Sequence, residues 1–176
     1  MIFREAELKG IYVIDPERVE DERGFFARTW CQHEFQTNGL NIRWVQGNIA
    51  FNKRKGTLRG LHYQAPPFEE IKLVRCTLGA IYDVAIDLRL NSPTFKKWMA
   101  VELTSENRRM VYLPQGIAHG YQTLADNTEV LYQISEFFHQ ESTKGVRWND
   151  PAFNIHWPID INVISDRDRS FLSFQS

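Results

Sequence analysis

Short β-type runs punctuated by Gly, Pro, Asn and Asp recur along nearly the whole chain, and this regularity limits the fold more than any other feature. Residues 10–14, 25–30, 44–51, 71–77, 98–103, 109–113 and 129–138 each read as a strand bounded by turn formers. Within 80–88, Tyr82, Val84, Ile86 and Leu88 alternate with Ile81, Asp83, Ala85 and Asp87. That is the period of two expected of a strand, with one apolar face and one carrying two carboxylates. The best helix candidate, Gln32–Thr37, is short and weakly patterned. No βαβ unit can be assembled from it, and no Gly-x-Gly-x-x-Gly follows any strand, so a doubly wound nucleotide fold is disfavoured. The expected class is an all-β sandwich or barrel.

A chain of 176 residues with 43% hydrophobic content can bury a sizeable core as a single domain spanning 1–176. With 21 basic and 22 acidic residues, the net charge of -1 gives no field favouring nucleic acid or an anionic membrane. An anionic ligand must therefore be gripped locally. Cys31 and Cys76 are too few for a disulfide framework, and the first residues, Met-Ile-Phe-Arg-Glu-Ala-Glu, lack a signal-peptide profile. No stretch reaches the roughly 20 apolar residues of a membrane span. The expectation is a cytoplasmic protein with reduced thiols.

Two segments end β-like runs in histidine: Gly56-Thr-Leu-Arg-Gly-Leu-His62-Tyr-Gln64 and Pro114-Gln-Gly116-Ile-Ala-His119. Together they resemble the paired signature motifs of the cupin barrels, a Gly followed by His-x-His and a later Pro-x-Gly-x-x-His. The implied architecture is a double-stranded β-helix, or jelly-roll barrel, with short peripheral helices. Gln64 stands where the second histidine of the first motif is expected. A cupin metal site needs three imidazoles, or two and a carboxylate, so two histidines favour acid/base chemistry over metal binding.

A closer resemblance covers residues from about 10 to 168. Asp21-Glu-Arg-Gly-Phe-Phe26, Leu58-Arg-Gly-Leu-His62-Tyr-Gln64, Lys72-Leu-Val-Arg-Cys76, Tyr82-Asp-Val, Ser92-Pro-Thr, Pro114-Gln-Gly-Ile-Ala-His-Gly120, Trp148-Asn-Asp150, Trp157-Pro158 and Ile164-Ser-Asp-Arg-Asp168 occur in order. The set resembles the dTDP-4-dehydrorhamnose 3,5-epimerase family. The resemblance implies a cofactor-independent epimerase of a nucleotide-linked 4-keto-6-deoxyhexose, acting as a homodimer in deoxysugar biosynthesis. The hydrogens on C3 and C5 are acidic because each adjoins the C4 carbonyl. Inversion needs a base on one face, an enolate stabiliser, and an acid on the other. Neither metal nor nicotinamide is required.

Imidazole, with an ordinary pKa near 6.5, suits the base. The resemblance implies His62 in that role with Asp168 orienting it, Lys72 stabilising the C4 oxygen and Tyr132 returning a proton. From the residues alone, each has a plainer reading. His62 could be a packed histidine, Lys72 a solvated edge residue, and Tyr132 core on the face of Val130 and Ile134. His119 could support the site with Asp83 or be purely structural. For the diphosphate, a planar guanidinium is the better grip, and Arg59 is the natural candidate. The resemblance adds Arg23 at the nucleotide end, Gln46 and Asn48 as polar contacts, and Arg167, with the pocket shared between two subunits. Phe25 and Phe26 could face the base, although adjacent aromatics more often pack.

Departures from the family pattern fall on the binding side. Arg28 stands where Glu is common, Gly47 where an acid is common, Thr143 near a common Glu, and Phe137 or Phe138 where Tyr is frequent. The expectation is that the proton chemistry is kept, while these changes leave open which nucleotide and sugar are recognised. A single-centre epimerase or ketoisomerase would preserve much of the same fold, with a small pocket change deciding between them. Two other classes stay open: a metal-dependent cupin using His62, Gln64, Glu69 or Glu70, and His119, and a non-catalytic sugar-binding barrel.

Overall fold

The computed structural model describes residues 1–174. The strands in chain order are β1 (Ile2–Glu5), β2 (Tyr12–Asp15), β3 (Arg18–Asp21), β4 (Gly24–Ala27), β5 (Gln46–Asn52), β6 (Thr57–Gln64) and β7 (Lys72–Leu78). They continue as β8 (Ala80–Asp87), β9 (Trp98–Thr104), β10 (Met110–Leu113), β11 (Ile117–Thr123), β12 (Thr128–Ile134), β13 (Thr143–Gly145) and β14 (Val163–Ile164). Helix α1 (Gln32–Thr37) precedes β5, and α2 (Asp166–Arg169) follows β14. The predicted helix therefore forms over the residues expected. No described helix is long and apolar enough to cross a membrane.

Two sheets face one another as a jelly roll, in the cupin-type architecture expected from the paired motifs. The first runs β1-β2-β10-β7-β12-β5 and the second β13-β6-β11-β8-β9, with β14 added beside β6. Their inner faces share one apolar core. Val74, Cys76, Val111 and Val130 from the first sheet meet Ile81, Ala85, Leu103, Ile117 and Tyr121 from the second. Each large aliphatic withdrawn from water there contributes about 2 kcal/mol, so this inter-sheet layer is the main stabilising element. Both outer faces are also covered. Phe35 of α1, with Trp30 and Trp44, packs on Leu73, Met110 and Tyr112. The segment after β13 lays Val146 and Phe153 over Leu61, Val84 and Ile86.

Covering both faces changes the reading of β8. The sequence shows alternation, but Val84 and Ile86 are as buried as Ile81, and Asp83 and Asp87 are buried with them. Asp87 survives because its carboxylate is saturated. It accepts from Arg89 N, Nε and Nη2, from Ser92 Oγ, and from Thr94 Oγ1 at 2.6 Å. Burial acts to raise its pKa, yet these donors outweigh burial and hold it at about 2. A lowered folded-state pKa stabilises the fold above the unfolded value and is lost as pH falls through the folded one. Asp87 should therefore contribute about 1–2 kcal/mol at neutral pH after solvent screening, lost between about pH 4 and 2. Comparing the acid limb of urea unfolding for the wild type and Asp87→Asn checks this. Equal pH slopes in the two proteins would refute it.

Two predicted strands are shorter in the fold. The run from 25 stops at Ala27, because Arg28 turns to pair with Glu34 of α1 at 2.8 Å. Strand β4 joins neither large sheet and pairs only with β3. The run from 129 stops at Ile134, leaving Phe137 and Phe138 exposed in the following loop. Both cysteines are free thiols.

Candidate active site

Strands β6 and β11 bring the two motif histidines side by side, since His62 and His119 are direct cross-strand partners. The strands approach so closely just before this pair that glycine is required on both. A Cβ on Gly60, whose φ is +122°, would lie 2.5 Å from Gly120 Cα. The register shifts at the same point, between His119 and Tyr121.

Beyond the packed core, the space between the sheets opens into a cavity of about 450 Å³. Arg59, His62 and His119 enter it from the second sheet, while Lys72 and Tyr132 enter from the first. Arg167 and Asp168 close one wall. Among the residues singled out from sequence, seven thus surround one space.

His62 Nε2 lies 2.6 Å from Asp168 Oδ1, across 106 residues of sequence. Strand β14 makes this possible by pairing parallel to β6 at Thr57 and Leu58, which starts α2 beside the histidine. Ser165 caps α2 by accepting from Asp168 N at 3.1 Å. The other Asp168 oxygen accepts Gly60 N–H at 3.1 Å. Burial acts to raise the Asp168 pKa, but its hydrogen bond to His62, the His62 charge, Gly60 N–H and Ser165 prevail and hold it below the usual range. An ionised Asp168 places the imidazole proton on Nε2 and leaves Nδ1 free as a proton acceptor. The imidazole side chain is one-third exposed, which gives it a route for exchange with solvent.

A second imidazole–carboxylate pair lies deeper. His119 Nε2 is 2.8 Å from Asp83 Oδ2, and burial pushes the Asp83 pKa up against the opposing fields of His119 and Lys72. Lys72 is not an edge residue, because β7 lies between β10 and β12. Its Nζ pairs with Glu70 at 2.8 Å, with both side chains about one-tenth exposed, and reaches His62 O at 3.5 Å. Tyr132 is held as a neutral phenol, since burial raises its pKa against the lowering field of Arg59.

Arg59 is steered by a residue the sequence did not single out. Its Nε donates to Asn52 Oδ1 at 2.7 Å, and the buried Asn52 amide is fixed by donating to Thr128 O at 3.1 Å and Tyr121 OH at 3.3 Å. Tyr121 itself lines the cavity, its phenol pushed up to about 12 by burial. Glu70 and Ser165 were also missed as partners of Lys72 and Asp168. A capping serine three residues before Asp168 was the one readable signal among them.

The remaining binding candidates lie elsewhere in the protomer. Arg23 is in the β3–β4 turn, 84% exposed and paired with Asp21, because that hairpin is attached to neither large sheet. Gln46 accepts from Phe138 N at 2.7 Å. Asn48 is the cross-strand partner of Tyr132 and shares its face, outside the cavity lining. Thr143 donates to His139 O at 2.9 Å, and a Cβ on Gly47 would meet nothing within 4 Å. Gln64 points away, donating to Phe68 O and Phe137 O and accepting from His139 N, so its amide is fully used by the adjoining loops. Among the described residues, no three His, Cys, Asp or Glu side chains converge as a metal cluster.

The sequence model for dTDP-4-dehydrorhamnose 3,5-epimerase matches residues 5–176. This chain belongs to that family. A curated epimerase of this name from Methanothermobacter thermautotrophicus is 44% identical over 172 residues, covering 96% of this chain and 92% of its relative. The crystal structure of the Elizabethkingia anophelis NUHP1 epimerase superposes with a TM-score of 0.95 at 38% identity, covering 99% and 96% of the two chains. The Legionella pneumophila Philadelphia 1 enzyme, crystallised in complex with dTDP-4-keto-L-rhamnose, has a TM-score of 0.88 at 36% identity, covering 95% and 89%. Within the epimerase family fold, His62 with Asp168 and Tyr132 thus stand on facing sheets across one cavity.

Proposed function

We propose that the chain converts dTDP-4-dehydro-6-deoxyglucose to dTDP-4-dehydrorhamnose by inverting C3 and C5. The observation that carries this reading is an oriented imidazole and a neutral phenol on opposing walls of one cavity, with a lysine between the sheets. Inversion requires those elements because the proton must leave one face of the carbon and return to the other.

In this reading, His62 Nδ1 removes the proton from C3. The C–H electrons form an enolate with the C4 carbonyl, and Lys72, aided by His119, stabilises its oxygen. Tyr132 then protonates the carbon from the opposite face as the enolate electrons return to it. The same sequence at C5 completes the double inversion. Between steps, His62 loses its proton and Tyr132 regains one through solvent. Asp168 holds the imidazole tautomer and stabilises the imidazolium. Asn52 leaves Arg59 Nη1 available for the diphosphate.

We assign the remaining expectations on the same basis. The chain acts as a single cytoplasmic domain in a homodimer. The β3–β4 hairpin supports the dimer, because it exposes Val19 and Phe26 at 70% and 73%, and an isolated two-stranded ribbon is marginal in water without a partner surface. A partner across this hairpin would bring Arg23, Gln46 and Asn48 into a shared nucleotide site.

The test is proton NMR of the dTDP 4-keto-6-deoxyglucose in deuterated water with chelator-treated protein. Loss of both the C3 and C5 signals is expected. Loss of one would make it a single-centre enzyme, and activity only after metal addition would overturn the mechanism. In the same assay, Tyr132→Phe should retain exchange while net inversion falls about a hundredfold. Full inversion by that variant would remove Tyr132 as the acid.

A further inference from the structure

The hydrogen bond that His62 donates to Asp168 restrains only one atom of the ring, and histidine χ2 is a broad torsion that one such contact leaves free to rock. A second restraint comes from the residue that follows α2 at one remove. The ring centroid of Phe171 lies 5.8 Å from that of His62, and the planes cross at 72°. This edge-to-face packing is one of the preferred aromatic arrangements.

Space for Phe171 exists only because of Gly145 in β13. Gly145 is the direct cross-strand partner of His62. A Cβ built there would lie 2.1 Å from Phe171 Cζ and 2.2 Å from its Cε2. Gly145 is not among the glycines with positive φ, so its backbone would accept alanine. The ring, and not the torsion, excludes a side chain. Phe171 is not among the residues lining the cavity, so its packing on His62 lies outside that lining.

We infer that Phe171 is a positioning residue that fixes the plane of the His62 imidazole, and that Gly145 serves to admit it. The inference rests on His62 being the base. Asp168 and Phe171 hold the ring from two directions, one through a nitrogen and one through its plane. Both are delivered by the same C-terminal turn, so Nδ1 is aimed at the cavity before substrate arrives.

Phe171→Ala, Phe171→Leu and Gly145→Ala, each in the full chain, test this against wild type and His62→Ala. Phe171→Ala should lower kcat for exchange about tenfold through misalignment of the base, with KM and dTDP affinity unchanged. Phe171→Leu, which keeps apolar bulk behind the ring, should restore most of that loss. Gly145→Ala should reproduce the defect with Phe171 still present, because its methyl displaces the ring. The His62 imidazole proton resonances should move in both proteins, as the ring current is removed in Phe171→Ala and displaced in Gly145→Ala. Wild-type kcat in Phe171→Ala would overturn the inference, as would a raised KM with kcat intact. Exchange that persists in His62→Ala would instead overturn the base assignment itself.

Discussion

His62→Ala should abolish proton exchange at both C3 and C5, lowering kcat by about a thousandfold or more, the scale of a positioned general base. Nucleotide affinity should barely change. The imidazole directs Nε2 at Asp168 and packs against Phe171, while the proposed diphosphate grip, Arg59, is anchored independently by Asn52. Such a pattern, with kcat lost and binding kept, identifies an interaction made in the transition state. Asp168 would keep its bond from Gly60 N–H and its cap at Ser165, so the wall should stay folded. Isothermal titration with dTDP beside the deuterium-exchange assay measures both quantities on one preparation. Exchange at the wild-type rate would show that another group removes the proton.

Gly60→Ala should be the most damaging single-methyl change in the fold. The new methyl would meet Gly120 Cα at 2.5 Å and His119 O at 2.9 Å, both backbone atoms that cannot swing aside. The φ of +122° adds strain for any L side chain. Together these should cost about 3 kcal/mol or more, within the range for backbone strain combined with overpacking. The clash also separates β6 from β11, so any protein that does fold should have displaced histidines. Gly47→Ala is the matched control, with nothing within 4 Å of its Cβ. Urea unfolding of the two variants should differ by most of that amount, and similar midpoints would refute the close-approach argument.

Much of the barrel is legible because turn residues and alternation are local signals. The strands from 71, 98 and 109 and helix α1 follow directly from them. The ends of β4 and β12 are not legible in this way. Arg28 continues an apparently extended run, and only its pairing with Glu34 explains the turn away. At the site, family-typical residues point to His62, Lys72, Tyr132 and Asp168 as a set, but not to their partners. Glu70 reads only as a possible metal ligand until β7 proves central and its lysine nearly buried. Asn52 steers Arg59 through an amide fixed by Thr128 and Tyr121, which are 76 and 69 residues away. Gly145 of β13 and Phe171 beyond α2 meet with no shared motif, so no spacing could announce them. Arg23 has no cavity role in the isolated protomer because its hairpin pairs only with itself.

The parallel pairing of β14 with β6 has a bearing on biosynthesis. A chain leaving the ribosome presents its N-terminal portion first. His62 is therefore made early, and its carboxylate partner emerges 106 residues later. A nascent or prematurely ended product stopping before Ser165 would lack both Asp168 and Phe171, whatever portion of the barrel had formed. Its histidine would have neither a fixed tautomer nor a fixed plane. Orientation of the proposed base is thereby tied to synthesis of the segment that follows β14.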